Sequence, residues 1–238
     1  MGLKYRVGQL LDRLGYRIVR KDRYPQSTIN LVAVGFTLLR SRLEGTLTII
    51  QIGAFDGRHN DPLQRILRHE QGYRAVLVEP QGEPFAELAA LYQDRPDVIV
   101  EQVAITAEDG PVTLYFHAAT SSSPKASLDP THATRFGQKA HNSRAIQVDG
   151  VTFSTLLKRH RIQAVDLLQI DAEGRDLQIL KDVFAAGVRP AVVNLESHHL
   201  SGEEREQLRR VFATEGYDFI ENNLDTFAIR QDVIHGQA

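Results

Sequence analysis

The sequence predicts an α/β domain with a mostly parallel sheet, preceded by a helical leader. Apolar β-branched segments of strand length, such as TLTIIQI at 46–52 and RAVLVEP at 74–80, alternate with stretches of helical periodicity. Strands that are apolar on both faces are typical of parallel sheets, because helices cover both sides of such sheets. The 238 residues, 42 % of them hydrophobic, suffice for one large core, and we therefore expect one domain of this class.

The elements follow one another in the order expected for right-handed crossovers. The first half predicts strand, helix, strand, helix and strand at residues 46–52, 62–70, 74–80, 84–92 and 98–105. Asp61 and Pro62 suit the start of the first helix, as an N-cap acid and a proline at the first helical position. The second half predicts strand, helix, strand, helix and an antiparallel hairpin at residues 165–171, 174–186, 191–197, 201–216 and 217–230. Between the halves, residues 121–143 have the composition of turns, which is typical of lids and of disordered surface loops.

The leader is the least informative part of the chain. We expect residues 1–44 to form helices that pack on the domain of residues 45–238 or on a second subunit. A homodimer is therefore one expectation. The apolar stretch 29–39 is about half of the roughly 20 residues that span a bilayer, so we expect a packed helix and no transmembrane segment. The many Lys and Arg residues suit a solvated face or, alternatively, a surface that meets phosphates, an anionic membrane or an acidic partner. Asp12 and Arg13 interrupt any secretory signal, and we expect a cytoplasmic protein.

Charge and cysteine content exclude several classes of protein. The formal net charge is −2, from 28 basic and 30 acidic residues, so the overall balance gives no reason to expect a nucleic-acid partner. The absence of cysteine excludes disulfides, thiolate metal sites and a cysteine nucleophile. A small-molecule partner is the remaining expectation.

The loop GAFDG, which follows the first predicted strand, is the strongest indication of a binding site. In an open parallel sheet, ligands bind beyond the carboxyl ends of the strands. Gly53 and Gly57 let the backbone approach a ligand closely. Glu79, at the end of the second predicted strand, stands where an acid accepts hydrogen bonds from both ribose hydroxyls of a nucleoside. Together these residues predict a cofactor that contains a nucleoside.

The chemistry of the loop favours S-adenosylmethionine over a dinucleotide. The loop has G-x-x-x-G where a dinucleotide site needs G-x-G-x-x-G, and Asp56 would repel phosphate. An acidic loop suits a cofactor with an ammonium and a sulfonium group. The closing hairpin also fits the seventh, antiparallel strand of the Rossmann-like class I methyltransferase fold.

Four motifs resemble the FkbM-type S-adenosylmethionine-dependent methyltransferases. They are IIQIGAFDG, LVEP, VDLLQIDAEGRDLQIL and VVNLES, and the resemblance covers about residues 46–230. It implies methylation of a hydroxyl group on a sugar or another small hydroxylated metabolite. The chain departs from the family pattern at Gln51, where many members have an acid, and at Arg175 and Asp176, which replace a small-acidic pair.

Acids and histidines at the ends of the fourth and fifth predicted strands are the candidates for chemistry. A hydroxyl is a poor nucleophile unless a base or a metal ion lowers its effective pKa. We expect Asp171, Glu196 and His198 to be catalytic, and Asp171 and Glu196 to be the ligands if Mg²⁺ is used. Glu173 suits chemistry and the charging of a helix N-terminus equally well, and His199 is expected to stay outside the chemistry.

The cofactor is expected to contact the ends of the first three strands. The predicted contacts are Gln51, Gly53, Ala54, Asp56, Gly57, Glu79, Pro80 and Ala104. Two alternatives remain open at this point: a nucleotide-binding or scaffold protein without turnover, which Gln51 would suit, and an NAD-dependent oxidoreductase or epimerase. The missing third glycine and the lack of a Tyr-x-x-x-Lys pair argue against the latter.

Overall fold

The computed structural model describes residues 29–58, 60–117, 122–123, 125–130, 143–222 and 224–235. The helices are α1 (Leu31–Arg42), α2 (Gln64–His69), α3 (Gly82–Leu91), α4 (Phe153–His160), α5 (Asp176–Ala185), α6 (Gly202–Thr214) and α7 (Gln231–His235). The strands are β1 (Leu47–Ile52), β2 (Tyr73–Val78), β3 (Val98–Glu101), β4 (Ala104–Ile105), β5 (Gly110–His117), β6 (Ser143–Val151), β7 (Leu167–Ile170), β8 (Val192–Glu196), β9 (Tyr217–Glu221) and β10 (Asp225–Arg230). Residues 1–28 of the predicted leader lie outside the described residues.

The main sheet has seven strands in the order β3-β2-β1-β7-β8-β10-β9. The first five strands of this order, β3, β2, β1, β7 and β8, are parallel to one another, and β10 runs antiparallel to both β8 and β9. This topology confirms the predicted seven-stranded class I methyltransferase fold with its closing hairpin. The strand order reverses between β1 and β7, so the loops that follow these two strands open a crevice at the carboxyl edge.

Helix α1 packs directly on the sheet through a glycine. A Cβ atom at Gly35 would lie 3.0 Å from Cζ of Phe227 and 3.1 Å from Cγ1 of Val192. The small residue therefore lets the helix backbone approach β8 and β10 closely. The α1 side chains that become buried in this packing are Val32, Phe36 and Leu39. No helix among the residues described above has the length and apolar character needed to cross a membrane.

The predicted third strand divides between two sheets. Only Val98–Glu101 pairs with β2, whereas Ala104–Ile105 leaves the main sheet and pairs with Gly150 and Val151 of β6. With β5, these strands form a three-stranded sheet in the order β4-β6-β5. The local pattern at 98–105 predicts one strand. The passage from one sheet to the other depends on pairing with β6, about 50 positions further along the chain, and local sequence does not show it.

Helix α2 begins two residues later than predicted, at Gln64. The Asp61 carboxylate accepts a hydrogen bond from the backbone N–H of Leu63 at 2.8 Å, which holds the chain in a turn before the helix. The same carboxylate contacts Gln51 on β1, so the turn is tied to the base of the glycine loop.

Candidate active site

Gly53 holds the glycine loop against the end of β7. Its backbone has φ +79°, and a Cβ atom there would lie only 1.7 Å from the carbonyl oxygen of Asp171. The N–H groups of Gly53 and Ala54 both donate to the carbonyl of Val78, at 2.9 and 3.0 Å. No side chain fits at this position, so the loop backbone and the end of β7 meet without an intervening group.

Gly57 and Asp56 lie on the inner side of the loop. A Cβ atom at Gly57 would lie 2.6 Å from Cδ1 of Leu88, which places this glycine against helix α3. Asp56 is buried, and its carboxylate accepts a hydrogen bond from the N–H of Arg58 at 2.9 Å. Both residues therefore shape the loop, and their predicted contact with a cofactor stays a prediction.

Glu79 joins the second strand to the glycine loop. Its carboxylate accepts from the N–H of Phe55 at 2.9 Å and from the backbone and side-chain N–H groups of Gln81 at 2.8 and 3.2 Å. The side chain is buried, and burial raises its pKa to about 7 although these hydrogen bonds act in the opposite direction. Pro80 follows on the partly exposed edge of the same turn.

Gln51 is paired with the acid that stands before helix α2. Its Nε2 donates to Asp61 Oδ1 at 3.1 Å, whereas Gln51 Oε1 and Asp61 Oδ2 are buried with no hydrogen-bond partner among the residues that the structure describes. Burial is the largest influence on the Asp61 pKa and raises it. Asp61 thus brings a carboxyl group into contact with Gln51, the position at which many members of the family have an acid.

Gln51 also begins a row of amides beneath the carboxyl edge. It lies beside Gln169 of β7, which lies beside Asn194 of β8, and the Asn194 Nδ2 donates to Gln169 Oε1 at 2.9 Å. Ala104, the last predicted cofactor contact, is buried in β4 of the small sheet, and its contact with a cofactor stays a prediction. The three amides stand two residues before Gly53, Asp171 and Glu196 along the chain.

The acids and histidines at the ends of β7 and β8 form one cluster. Glu196 Oε1 lies 3.1 Å from Nδ1 of His198, and Glu196 Oε2 lies 2.8 Å from Nε2 of His199. The His199 side chain is 2 % exposed and its Nε2 also lies 3.7 Å from Oδ2 of Asp176. Asp171 and Glu196 interact directly, and Asp171 stands at the open side of the cluster. The structure therefore brings together the three predicted catalytic residues.

The electrostatics of the cluster favour a proton on Asp171. The surrounding protein and then the carboxylates of Glu196, Asp176 and Glu173 raise the pKa of Asp171. Burial acts against ionisation of Glu196, yet hydrogen bonds from His199 and Asp171 keep its pKa below the usual value. Burial also disfavours a charge on His199, but Asp176 and Glu196 outweigh it and raise its pKa to about 10. Within the cluster, protonation is thus favoured at Asp171 and His199 and disfavoured at Glu196.

Asp176, which the sequence analysis named only as a departure from the family pattern, organises the loop after β7. It is fully buried and accepts hydrogen bonds from the N–H groups of Ala172 at 3.0 Å and Gly174 at 3.1 Å. Glu173 and Gly174 both have positive φ, 47° and 95°, so the loop folds around this carboxylate. An acid in the first turn of a helix that follows two other acids was the available signal.

Two overlapping groups of side chains bring ligand atoms within 4.8 Å of one another, as in a metal site. One group is Asp171, Glu173 and Glu196; the other is Glu196, His198 and His199. The first group fits Mg²⁺ in ligand type, because this ion prefers oxygen ligands. The second group suits Mg²⁺ less well in ligand type, because two of its three ligand atoms are imidazole nitrogens.

The strand order, the glycine loop and the acid after β2 define the class of S-adenosylmethionine-dependent methyltransferases. The sequence matches the profile of the methyltransferase FkbM domain over residues 51–224, and the chain belongs to this family. The recognition made from the motifs is therefore confirmed. No curated protein matches the sequence significantly.

Several solved structures have a similar fold. An O-methyltransferase from Bacillus cereus in complex with SAH is 12 % identical, covers 95 % of this chain and 90 % of its own, and has a TM-score of 0.46. Precorrin-6y C5,15-methyltransferase from Geobacter metallireducens is 11 % identical, with coverage of 89 % and 94 % and a TM-score of 0.44. Fibrillarin from Aeropyrum pernix, solved with natively bound S-adenosyl-L-methionine, is 12 % identical, with coverage of 84 % and 74 % and a TM-score of 0.43.

Proposed function

We propose that this protein transfers a methyl group from S-adenosylmethionine to a hydroxyl group of a carbohydrate or another small hydroxylated metabolite. The observation that carries the proposal is the contact between the glycine loop and the acidic cluster. Gly53 lies against the carbonyl of Asp171, and the side chain of Asp171 interacts with Glu196. A cofactor on the loop would therefore lie beside groups that can bind and deprotonate a hydroxyl.

The cofactor supplies a methyl group on a positively charged sulfur, and the protein has only to hold it and to orient the acceptor. Glu79 would accept a hydrogen bond from a ribose hydroxyl, since a carboxylate has about four acceptor positions and three of them are taken by donors of Phe55 and Gln81. The backbone around Gly53 and Ala54 would face the amino-acid part. This assignment follows from the position of these residues at the ends of β1 and β2.

The proton of the acceptor hydroxyl would pass to the Glu196–His198 pair. Glu196 remains ionised in the cluster and lies 3.1 Å from His198, so the pair can share a proton between a carboxylate and an imidazole. The surrounding protein and the neighbouring carboxylates raise the pKa of Asp171, and in its protonated form Asp171 would donate a hydrogen bond that orients the hydroxyl oxygen. The bound cofactor would supply the methyl group to the acceptor oxygen, and the electron pair of its carbon–sulfur bond would stay on sulfur.

The oxygen ligands Asp171, Glu173 and Glu196 support a second route, in which Mg²⁺ activates the hydroxyl. The two routes differ in their response to chelation. Turnover that survives EDTA favours the Glu196–His198 pair, whereas turnover that requires added Mg²⁺ favours the metal.

The test is methyl transfer with a panel of sugars and hydroxylated metabolites, followed as release of S-adenosylhomocysteine. We expect an O-methylated product, identified by NMR, and a loss of turnover of 100-fold or more in Glu196→Gln. Glu203→Gln, which changes an exposed acid of helix α6, is the matched control and should leave turnover unchanged. A product methylated on carbon or nitrogen would contradict the proposal, and cofactor binding without any turnover would favour a binding protein.

A further inference from the structure

A short segment is tied to the end of β2 by a single glutamine. We call residues 122–123 and 125–130 the strap. The Gln81 side chain accepts from the N–H of Ser123 at 2.8 Å and donates to the carbonyl of Ser123 at 3.0 Å. One amide thereby satisfies both backbone groups of one residue, as a neighbouring strand would. Gln81 is 5 % exposed, so water does not replace these bonds readily.

The other end of the strap is tied to the loop after β7. Ser127 forms an isolated β-bridge with Tyr115, with N–H to carbonyl distances of 2.9 and 2.8 Å in the two directions. The Ser127 hydroxyl donates to the carbonyl of Glu173 at 2.8 Å. Ser127 is 2 % exposed, so this attachment is buried as well. The strap thus reaches the loop that carries Asp171.

The position of the two attachments follows from the strand order. In the sheet, β1 lies between β2 and β7. A segment fixed to the residues that follow β2 and to those that follow β7 therefore crosses the carboxyl edge at the end of β1. The glycine loop begins there with Gly53, so the strap lies at the edge where the cofactor and the acceptor would meet.

Gln81 also contacts the residue that is expected to bind ribose. Its backbone N–H and its Nε2 both donate to Oε1 of Glu79, and the other oxygen of Glu79 accepts from Phe55 in the glycine loop. A continuous set of hydrogen bonds thus runs from Phe55 through Glu79 and Gln81 to Ser123. A ligand that changes the hydrogen bonding of Glu79 acts on Gln81 directly.

We propose that Gln81 is a positioning residue that holds the strap across the site and couples cofactor binding to the order of the strap. This inference rests on the proposed function, because it takes Glu79 as the contact for the cofactor. The coupling uses three hydrogen bonds of the Gln81 side chain, two to Ser123 and one to Glu79. An ordered strap should also strengthen acceptor binding, because Ser127 holds the loop that carries Glu173 and Asp171.

The experiment compares wild type, Gln81→Ala and Gln81→Glu by amide hydrogen exchange with and without S-adenosylhomocysteine. In the wild type, we expect the ligand to slow exchange in the strap. Gln81→Ala removes the acceptor of the Ser123 N–H, so exchange there should be at least about tenfold faster and should no longer respond to the ligand. Gln81→Glu keeps that acceptor but loses both Nε2 bonds, so it should retain partial protection in the absence of ligand.

Two further measurements separate coupling from a general loss of structure. Calorimetry should show about 3- to 10-fold weaker binding of S-adenosylhomocysteine to Gln81→Ala, within the range of one or two lost hydrogen bonds. The KM for the acceptor should rise more than kcat falls. Gln178→Ala, which removes an exposed amide bonded to Asp182 on helix α5, is the matched control and should leave all of these values unchanged.

The outcomes distinguish this inference from the proposed function. Unchanged exchange in the strap of Gln81→Ala, or a response to the ligand that persists in this variant, would overturn the role of Gln81. The exchange and calorimetry use only S-adenosylhomocysteine, so they test the coupling even if no hydroxylated acceptor is methylated. In that case the coupling would stand and the choice of acceptor would fall.

Discussion

The affinity for S-adenosylhomocysteine should depend on pH through one buried carboxyl group. Glu79 is 2 % exposed, and burial raises its pKa to about 7. If the ribose hydroxyls donate to its carboxylate, the ligand binds the ionised form. That form makes up about nine-tenths of the protein at pH 8 and about one-tenth at pH 6. We therefore expect affinity to fall about tenfold between pH 8 and pH 6.

The variant Glu79→Gln should remove this dependence. It cannot ionise, and it loses a charge-assisted contact worth about 1.5 kcal/mol or more, so its affinity at pH 8 should be at least about tenfold weaker than that of the wild type. Its binding should then be nearly constant from pH 6 to pH 8. Glu203→Gln serves again as the control with an exposed acid, and it should keep the pH dependence of the wild type.

The assay is calorimetric titration at pH 6, 7 and 8, in two buffers with different enthalpies of ionisation. At pH 6 the wild type should release close to one proton on binding, and Glu79→Gln should release none. The free energy of unfolding of the unliganded protein gives an independent check. The raised pKa of Glu79 adds stability that is fully present below pH 4.5, its usual pKa, and is lost as the pH rises through about 7. An affinity that does not vary with pH in the wild type would refute the assignment of Glu79 to the ribose.

Three further substitutions test the site. Gly53→Ala should destabilise the protein by well over the roughly 1–2 kcal/mol that alanine costs at positive φ, because its Cβ would meet the Asp171 carbonyl. The control Gly187→Ala, at φ +80° and with open space around it, should cost only that amount. Equal losses of unfolding free energy in urea would contradict the contact at Gly53. Asp171→Ala, which removes the proposed donor, should lower turnover about 100-fold and change the affinity for S-adenosylhomocysteine less than threefold; equal effects on both would make it a structural residue. His199→Gln should lower the free energy of unfolding by about 3 kcal/mol at pH 7. The difference between wild type and variant should shrink as the pH rises through about 10, where His199 loses its proton. A difference that does not vary with pH would contradict the positive charge on His199.

Much of the fold is encoded locally and could therefore be predicted. The run at 46–52 can only be a strand buried on both faces, and glycine after it marks a tight approach of the backbone. The division of residues 98–105 could not be predicted in this way. Its cause is the pairing of Ala104–Ile105 with residues of β6, which the local pattern does not contain.

The site shows the same limit. Asp171, Glu196 and His198 were predictable because parallel strands end at one edge, so the residues that follow them must be neighbours. Gln81 carried no such signal, since its role depends on where residues 122–123 return in space. The sequence analysis expected His199 to stay outside the chemistry. Its buried ion pair with Glu196 could not be predicted, because the pair depends on the conformation of the turn after β8.

The row of amides beneath the site has a consequence for how the sheet assembles. Gln51, Gln169 and Asn194 face the same side of the sheet, where Asn194 and Gln169 pair with each other. A slip of one strand by one residue would turn its amide to the opposite face, among side chains such as Ile50 and Leu168 that offer no hydrogen bond. Each misplaced amide would cost about 1–3 kcal/mol. The polar row therefore makes wrong alignments of β1, β7 and β8 unstable, in a sheet whose remaining apolar side chains would tolerate them.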